Sequence, residues 1–264
     1  SRGLGDVYKR QGLTQETGIT LPWGNLTGIR PTKIAMGLIE SGMSNAEAAD
    51  YMRRTYFTGN EKTALAITIA NRERDLLKDI DYQNGYSLYV GIPFCPSICL
   101  YCSFSSSPIE RWRDKVDEYL DALCRELTYI GETMKVRTLD TIYIGGGTPT
   151  TLEPEQMERL LSHIDACFPV EQAKEYTVEA GRPDSITGEK LMVIKRHPVT
   201  RISVNPQTMN QKTLDLIGRR HTVEDTKHAF ALARECGFDN INMDLIVGPV
   251  SYTHLRAHET VLDL

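Results

Sequence analysis

Apolar residues recur at two different spacings along the chain, and the change occurs near Ser87. Before that point, three segments carry apolar residues at the spacing of an amphipathic helix. Ser44, followed three residues later by Glu47, forms a capping-box pattern that marks a helix start. The pattern therefore predicts a helical region over residues 12–84. The three segments are 30–42, 44–57 and 60–80.

From Ser87 onward, short apolar runs alternate with longer helical stretches. This alternation is typical of βαβ units and a parallel sheet, either doubly wound or an incomplete barrel. We expect an α/β fold with about five parallel strands behind the N-terminal helical segment. The five runs are "SLYVGIPF", "TIYIGGG", "YTVEAG", "RISVNPQ" and "NINMDLIVG".

Polar or glycine-rich residues stand where each of these runs ends. Because functional sites of parallel α/β folds form at the carboxyl ends of strands, the recurrence predicts one shared site. Asp244 lies within an otherwise apolar run, and burying it unpaired is costly, so it needs a structural partner or a ligand. The strand-end residues are Cys95, Gly145 to Thr148, Glu179, Gln207 and Asp244.

Both ends of the chain carry a different signal. The segments "DVYKRQ" and "VSYTH" can be encoded by opposite strands of one DNA element. That element resembles a transposon-end adaptor used in sequencing-library preparation, and such scars are excluded from fold reasoning. We therefore expect four regions: a read-through segment at 1–11, the helical region at 12–84, a truncated α/β core at 85–249 and a read-through segment at 250–264.

Composition narrows the class of protein. The chain has 264 residues, 41% hydrophobic residues and a net charge of −5, which are ordinary values for a globular protein. No basic stripe predicts nucleic-acid binding, and no apolar run reaches the roughly 18 residues of a membrane span. With no secretory signal in sight, we expect a reducing cytoplasmic location. Clustered cysteines in that setting more often bind metal than form disulfides.

Three of the six cysteines crowd one loop with the spacing C-x3-C-x2-C. Cys95, Cys99 and Cys102 offer soft thiolate ligands, which suit iron–sulfur clusters and zinc. A structural zinc site needs four ligands, so zinc would require a distant histidine, whereas three thiolates leave one iron of a [4Fe–4S] cluster open. The other three are expected to be small buried apolar residues: Cys124, Cys167 and Cys236.

Here the sequence resembles a known family. The run "YVGIPFCPSICLYC" followed by "IGGGTP" resembles the radical S-adenosylmethionine (SAM) superfamily. Within it, the chain is similar to the oxygen-independent coproporphyrinogen III dehydrogenases of the HemZ type. The resemblance extends through "EAGRPD", "NPQTMN", "GRRH" and "INMDLIVG", and includes "LPWGNLTGIRPTKI" in the helical leader.

The resemblance implies a [4Fe–4S] cluster on the three loop cysteines and one or two SAM molecules. By this resemblance the contacts to a first SAM are Tyr89, Gly146 and Glu179. The contacts to a second SAM are Tyr101, Gly147, Thr148, Gln207, Arg219 and Asp244. Taken by themselves, the glycines also suit a tight strand-to-helix turn, and Arg219 a solvated surface. The four histidines outside the tails fall in no useful motif and are expected in surface or core roles: His163, His197, His221 and His228.

The resemblance also implies an activity. A 5′-deoxyadenosyl radical would abstract hydrogen from propionates of coproporphyrinogen III, and two decarboxylations would give protoporphyrinogen IX. The electron donor would be a flavodoxin or ferredoxin. Phe104 stands where these dehydrogenases carry a further cysteine, which resembles a related haem-handling branch, so two alternatives stay open. They are a haem carrier or chaperone, and a radical SAM enzyme with another substrate. Since the family's last strand and C-terminal domain are absent from the match, the chain as written is expected to be poorly soluble and inactive.

Overall fold

The computed structural model describes residues 4–26, 30–81 and 84–246. The chain divides into two compact units: the first ends at Ile80 and the second begins at Asp81. Among the described residues, no helix combines the length and the apolar character that crossing a bilayer requires.

The first unit is helical. A core of small and flexible apolar residues, such as Ala35, Met52 and Ala66, allows three of its helices to pack closely. The predicted capping box is confirmed: the Ser44 hydroxyl accepts from the backbone N–H of Glu47, and the Glu47 carboxylate accepts from the backbone N–H of Ser44. The helices are α1 (Leu4–Thr17), α2 (Thr32–Glu40), α3 (Asn45–Tyr56) and α4 (Asn60–Leu77).

The second unit contains a five-stranded parallel sheet and a separate two-stranded pair, β2 and β3. Within the described residues the strands are β1 (Tyr86–Ile92), β2 (Phe94–Cys95), β3 (Ser107–Pro108), β4 (Leu139–Gly146), β5 (Glu175–Gly181), β6 (Arg201–Val204) and β7 (Ile241–Asn242). The helices of this unit are α5 (Val116–Thr133), α6 (Pro154–Cys167), α7 (Gly188–Lys195), α8 (Gln211–Leu216) and α9 (Val223–Glu235).

The sheet runs in the order β1-β4-β5-β6-β7, so its spatial order follows the chain order. Each crossover steps to the next strand in the same direction, which is how a (β/α) barrel winds. A doubly wound sheet reverses its direction partway. The predicted incomplete barrel is therefore confirmed, and among the described strands the sheet is not closed.

Side-chain alternation separates the two faces of the sheet. On β1, Leu88, Val90 and Ile92 are buried and belong to the main core, which they share with residues of α5, α6 and α7. The alternate residue Tyr89 is exposed. The helices thus cover one face, while the other face and the carboxyl ends of the strands are left for polar side chains.

The last part of the described chain departs from the predicted pattern. β7 has two residues, and pairing resumes only as an isolated bridge between Gln207 and Leu245. Asp244 lies between the end of β7 and Leu245. It is exposed and accepts a hydrogen bond of 2.8 Å from the side-chain amide of Asn242. The expectation that Asp244 is buried is wrong, because the regular strand ends before it. The rest of the predicted run, from residue 247, lies outside the described residues.

Candidate functional site

A cavity of about 340 Å³ opens at the carboxyl ends of the parallel strands. All of the predicted site residues except Tyr89 line it: Cys95, Cys99, Tyr101, Cys102, Gly146, Gly147, Thr148, Glu179, Gln207, Arg219 and Asp244. Residues far apart in the chain meet here because parallel strands bring their carboxyl ends to one edge.

Backbone hydrogen bonds join the glycine-rich turn to the start of the cysteine loop. The N–H of Gly147 donates to the carbonyl of Ile92 at 2.7 Å, and that of Thr148 donates to the carbonyl of Phe94 at 2.7 Å. Gly146 adopts φ +103°, a conformation that side chains disfavour. The turn after β4 and the loop after β1 are thereby held as one scaffold.

The three loop thiols each have a polar neighbour. Cys95 Sγ lies 3.4 Å from the hydroxyl of Thr148, and both residues are buried. Burial raises the pKa of the Cys102 thiol, while hydrogen bonds from the backbone of Phe104 and the side chain of Ser106 oppose that rise. Cys99 is buried beside an arginine that the sequence did not single out.

The predicted zinc alternative finds no assembled site. Among the described residues, no group of three or more histidine, cysteine, aspartate or glutamate side chains is arranged to hold a single metal ion. A four-iron cluster is larger than one ion and holds its thiolates farther apart. Three soft thiolates around one cavity therefore suit a cluster better than zinc.

Glu179 forms the next part of the cavity wall. Its carboxylate accepts a short hydrogen bond from the hydroxyl of Tyr143, and the Tyr143 ring stacks on Tyr89 with centroids 5.8 Å apart. Burial raises the pKa of Glu179, the Tyr143 hydroxyl opposes the rise, and Asp244 adds to it. Tyr89 does not itself line the cavity, but it is exposed beside Tyr143. Tyr143 was missed, although strand alternation places it on the same face as Gly145.

We expect Glu179→Gln to stabilise the fold at pH 7. A raised pKa means that folding disfavours the charged carboxylate. The penalty is absent below the ordinary carboxyl pKa of about 4, develops between that value and the higher folded pKa, and is complete above the folded pKa. Urea midpoints of the two proteins should therefore differ at pH 7 and converge in acid. The exposed Glu126 of α5 provides the control, since Glu126→Gln should show no such divergence. Equal midpoints for Glu179→Gln and wild type at both pH values would contradict the expectation.

Another part of the cavity lining holds buried polar atoms without protein partners among the described residues. Arg219 donates one guanidinium N–H to the carbonyl of Asn205, but its Nε and the side-chain carbonyl oxygen of Asn205 have none among the described residues. Gln207 adopts φ +67°, in the left-handed region. Buried polar groups are normally satisfied, so these atoms favour a polar ligand in the cavity. Asn205 was missed by sequence reasoning.

Tyr101 and Phe104 also line the cavity, and His221 is buried close to Arg219. Burial raises the pKa of Tyr101, with the charge of Arg219 opposing. Phe104 is exposed and lines the cavity at its mouth. Burial and the charge of Arg219 lower the pKa of His221 to about 4, so this histidine is a neutral core residue, as expected. Of the remaining cysteines, Cys124 is buried as expected, whereas Cys167 and Cys236 are only half-buried against the main core, and the Cys167 sulfur lies 3.5 Å from His163 Nε2.

Comparison with known proteins identifies related chains. The sequence profile of the radical SAM superfamily matches residues 89–262. The chain is 44% identical over 240 residues to the oxygen-independent coproporphyrinogen-III oxidase-like protein HemZ of Bacillus subtilis. The matched residues cover 89% of this chain and 48% of HemZ. It is 42% identical over 163 residues to the haem chaperone HemW of the same organism, covering 61% of this chain and 42% of HemW.

A solved structure is also similar. Coproporphyrinogen III oxidase (HemN) from Escherichia coli, a radical SAM enzyme, superimposes with a TM-score of 0.56 at 31% identity. The match covers 67% of this chain and 42% of that one. The chain thus spans about half the length of the curated relatives it matches.

Proposed function

This chain belongs to the radical SAM superfamily, and we propose that it holds a [4Fe–4S] cluster on Cys95, Cys99 and Cys102, with SAM bound beside it. The observation that carries the proposal is that the three thiols share one cavity with the glycine-rich turn. When bound, the cluster supplies one electron and an open iron position. The superfamily implies both cofactors; a second SAM molecule is part of the proposal only.

The residues of this chain have distinct tasks in binding SAM. Gly146 and Gly147 allow a ligand to approach the backbone closely, because neither carries a side chain. Glu179, held in place by Tyr143, is an acceptor for an amine or for ribose hydroxyls. Arg219 offers its unpartnered Nε–H to a carboxylate. The resemblance assigned Arg219 to a second SAM, together with Tyr101, Gly147, Thr148, Gln207 and Asp244, and that division stays a prediction.

The resemblance assigned Tyr89 to a first SAM, together with Gly146 and Glu179, and that assignment stays a prediction. Since the Tyr89 ring stacks on Tyr143, we also assign Tyr89 an indirect role. It fixes the Tyr143 ring, and Tyr143 in turn fixes the Glu179 carboxylate.

We further propose that the complete protein decarboxylates coproporphyrinogen III oxidatively to protoporphyrinogen IX. Similarity to HemZ and to the HemN structure supports this. A flavodoxin or ferredoxin would supply the electron that cleaves SAM, and each propionate, after losing hydrogen to the 5′-deoxyadenosyl radical, would release carbon dioxide and pass one electron to an external acceptor. The protein's part is to orient the reacting groups and exclude water, while the cofactors supply the chemistry.

A haem carrier or chaperone is the second candidate, and two observations favour it. Phe104 occupies the mouth of the cavity where the dehydrogenases carry a further cysteine, and the chain is similar to the haem chaperone HemW. A carrier would keep the cluster and the SAM site without decarboxylating porphyrinogen.

One pair of assays on the full-length protein separates these functions. After anaerobic reconstitution, a dehydrogenase should consume SAM and release carbon dioxide from coproporphyrinogen III; a Cys95→Ser protein should do neither. SAM cleavage by an intact cluster without any carbon dioxide would refute the dehydrogenase. In that case stoichiometric haem binding, followed by transfer to an acceptor protein, is expected for a carrier, and absence of haem binding would refute it.

A further inference from the structure

Arg182 is an extensively hydrogen-bonded side chain of the site, and sequence reasoning assigned it no role beyond its place in the segment "EAGRPD". It follows β5 directly, is only 3% exposed and lines the cavity. Its Nε donates to Asp184 Oδ1 at 2.9 Å and its Nη2 to Asp184 Oδ2 at 2.7 Å, a bidentate pair. That pair offsets the cost of burying a guanidinium and fixes its plane.

The remaining nitrogen of Arg182 faces the cysteine loop. Its Nη1 donates to the backbone carbonyl of Ser97 at 2.9 Å and to the Ser97 hydroxyl at 2.8 Å. The same nitrogen lies 3.9 Å from the sulfur of Cys99. One rigid cation therefore contacts both the backbone of the loop and one of its thiols.

Cys99 differs in this respect from the other two loop cysteines. Cys95 and Cys102 each have a hydroxyl beside them, of Thr148 and Ser106, whereas Cys99 has the guanidinium of Arg182 in addition to the hydroxyl of Tyr101. Only a guanidinium brings a full positive charge with its hydrogen bond, and lysine cannot reproduce its planar fork.

We propose that Arg182 is a positioning residue that holds the Ser97–Cys99 part of the loop in its ligating shape and raises the reduction potential of the cluster. The second half of this proposal rests on the proposed cluster. Accepting an electron adds negative charge to the thiolate-bound cluster, and a nearby cation stabilises that reduced form. Hydrogen bonds to the sulfurs and the net charge around them are known determinants of cluster potential.

The positioning role is tested without any cluster, by alkylating the apo-protein with iodoacetamide and measuring each cysteine by mass spectrometry. We compare limiting rates, reached where alkylation no longer speeds up with pH, because losing a nearby cation also lowers the fraction of reactive thiolate and would otherwise slow the reaction. In Arg182→Gln we expect the limiting rate of Cys99 to be on the order of tenfold higher relative to Cys102, since a hydrogen-bonded charge that restrains the loop is lost. The matched control is Arg201→Lys, at the start of β6, where no change is expected. Unchanged Cys99 reactivity in Arg182→Gln would overturn the positioning role.

Cys124 is buried and serves as the folding control. It must stay unreactive to iodoacetamide in the variant as it does in wild type. If Cys124 becomes reactive in Arg182→Gln, the test variant becomes Ser97→Ala. That substitution removes only the hydroxyl that accepts from Arg182. A several-fold rise at Cys99 supports the proposal in that variant, and wild-type reactivity overturns it.

The effect on potential is tested by redox titration of reconstituted protein. Arg182→Gln should shift the potential to more negative values, while Arg182→Lys, which keeps the charge, should lie between it and wild type. A wild-type potential in Arg182→Gln would overturn this half. Failure of wild type to assemble a cluster would refute the proposed function instead, and the alkylation result would still decide the positioning role.

Discussion

In the full-length protein, replacing Cys99 with serine is expected to abolish cluster assembly and, with it, all SAM cleavage. Three thiolates are the only ligands that the proposed site offers from the loop, so the loss of one leaves a [4Fe–4S] cluster with two. A serine hydroxyl is a harder and less acidic donor, poorly matched to iron–sulfur chemistry. Iron and sulfide per chain, together with the brown absorbance after anaerobic reconstitution, should fall to near background.

The chain offers a matched control for this substitution. Cys236, at the end of α9, is half-buried against the main core and does not line the cavity. A Cys236→Ser protein should therefore keep its iron, sulfide and colour. Full iron and sulfide in Cys99→Ser would refute the proposed ligand set.

Replacing Gly147 with alanine should have the second large effect, on stability as well as on SAM binding. A Cβ at this position would lie 2.5 Å from the carbonyl oxygen of Phe94 and 2.8 Å from that of Ile92. Both obstacles are backbone atoms, so the glycine-rich turn must move away from the cysteine loop. We expect the free energy of unfolding to fall by about 1–3 kcal/mol, the usual cost of overpacking. A urea titration measures that loss.

Gly91→Ala provides the comparison. Its added Cβ would meet nothing nearer than a side-chain atom of Tyr89 at 3.7 Å, an ordinary contact. SAM affinity, measured by calorimetry on the reconstituted proteins, should fall markedly in Gly147→Ala and little in Gly91→Ala. A Gly147→Ala protein with wild-type urea midpoint and SAM affinity would refute the close contact between the glycine-rich turn and the cysteine loop.

The sequence alone predicted the composition of the site for a physical reason. Hydrophobic alternation locates each strand, and the carboxyl ends of parallel strands must meet at one edge. Residues that follow different strands, such as Cys95, Gly147, Glu179 and Gln207, can therefore be grouped from the sequence. The spacing of the cysteines added the chemistry of the ligands.

Periodicity does not encode where a strand stops or what a side chain meets across the sheet. Asp244 was expected to be buried, yet it is exposed, because β7 ends at Asn242 and the chain leaves regular pairing. Tyr89 was assigned to the ligand by resemblance alone, and only the folded chain shows that its ring stacks on Tyr143 across two neighbouring strands.

Arg182 shows most clearly what tertiary structure decides. Its hydrogen bonds reach Ser97, 85 residues earlier in the chain. That contact depends on the strand order and on the turn after Gly181, which adopts φ +67°. The sequence by itself determined the parallel α/β architecture and the cysteine chemistry, because both follow from local spacing. Only the folded chain decided which polar groups hold the loop and line the cavity, because those contacts join residues that no local pattern connects.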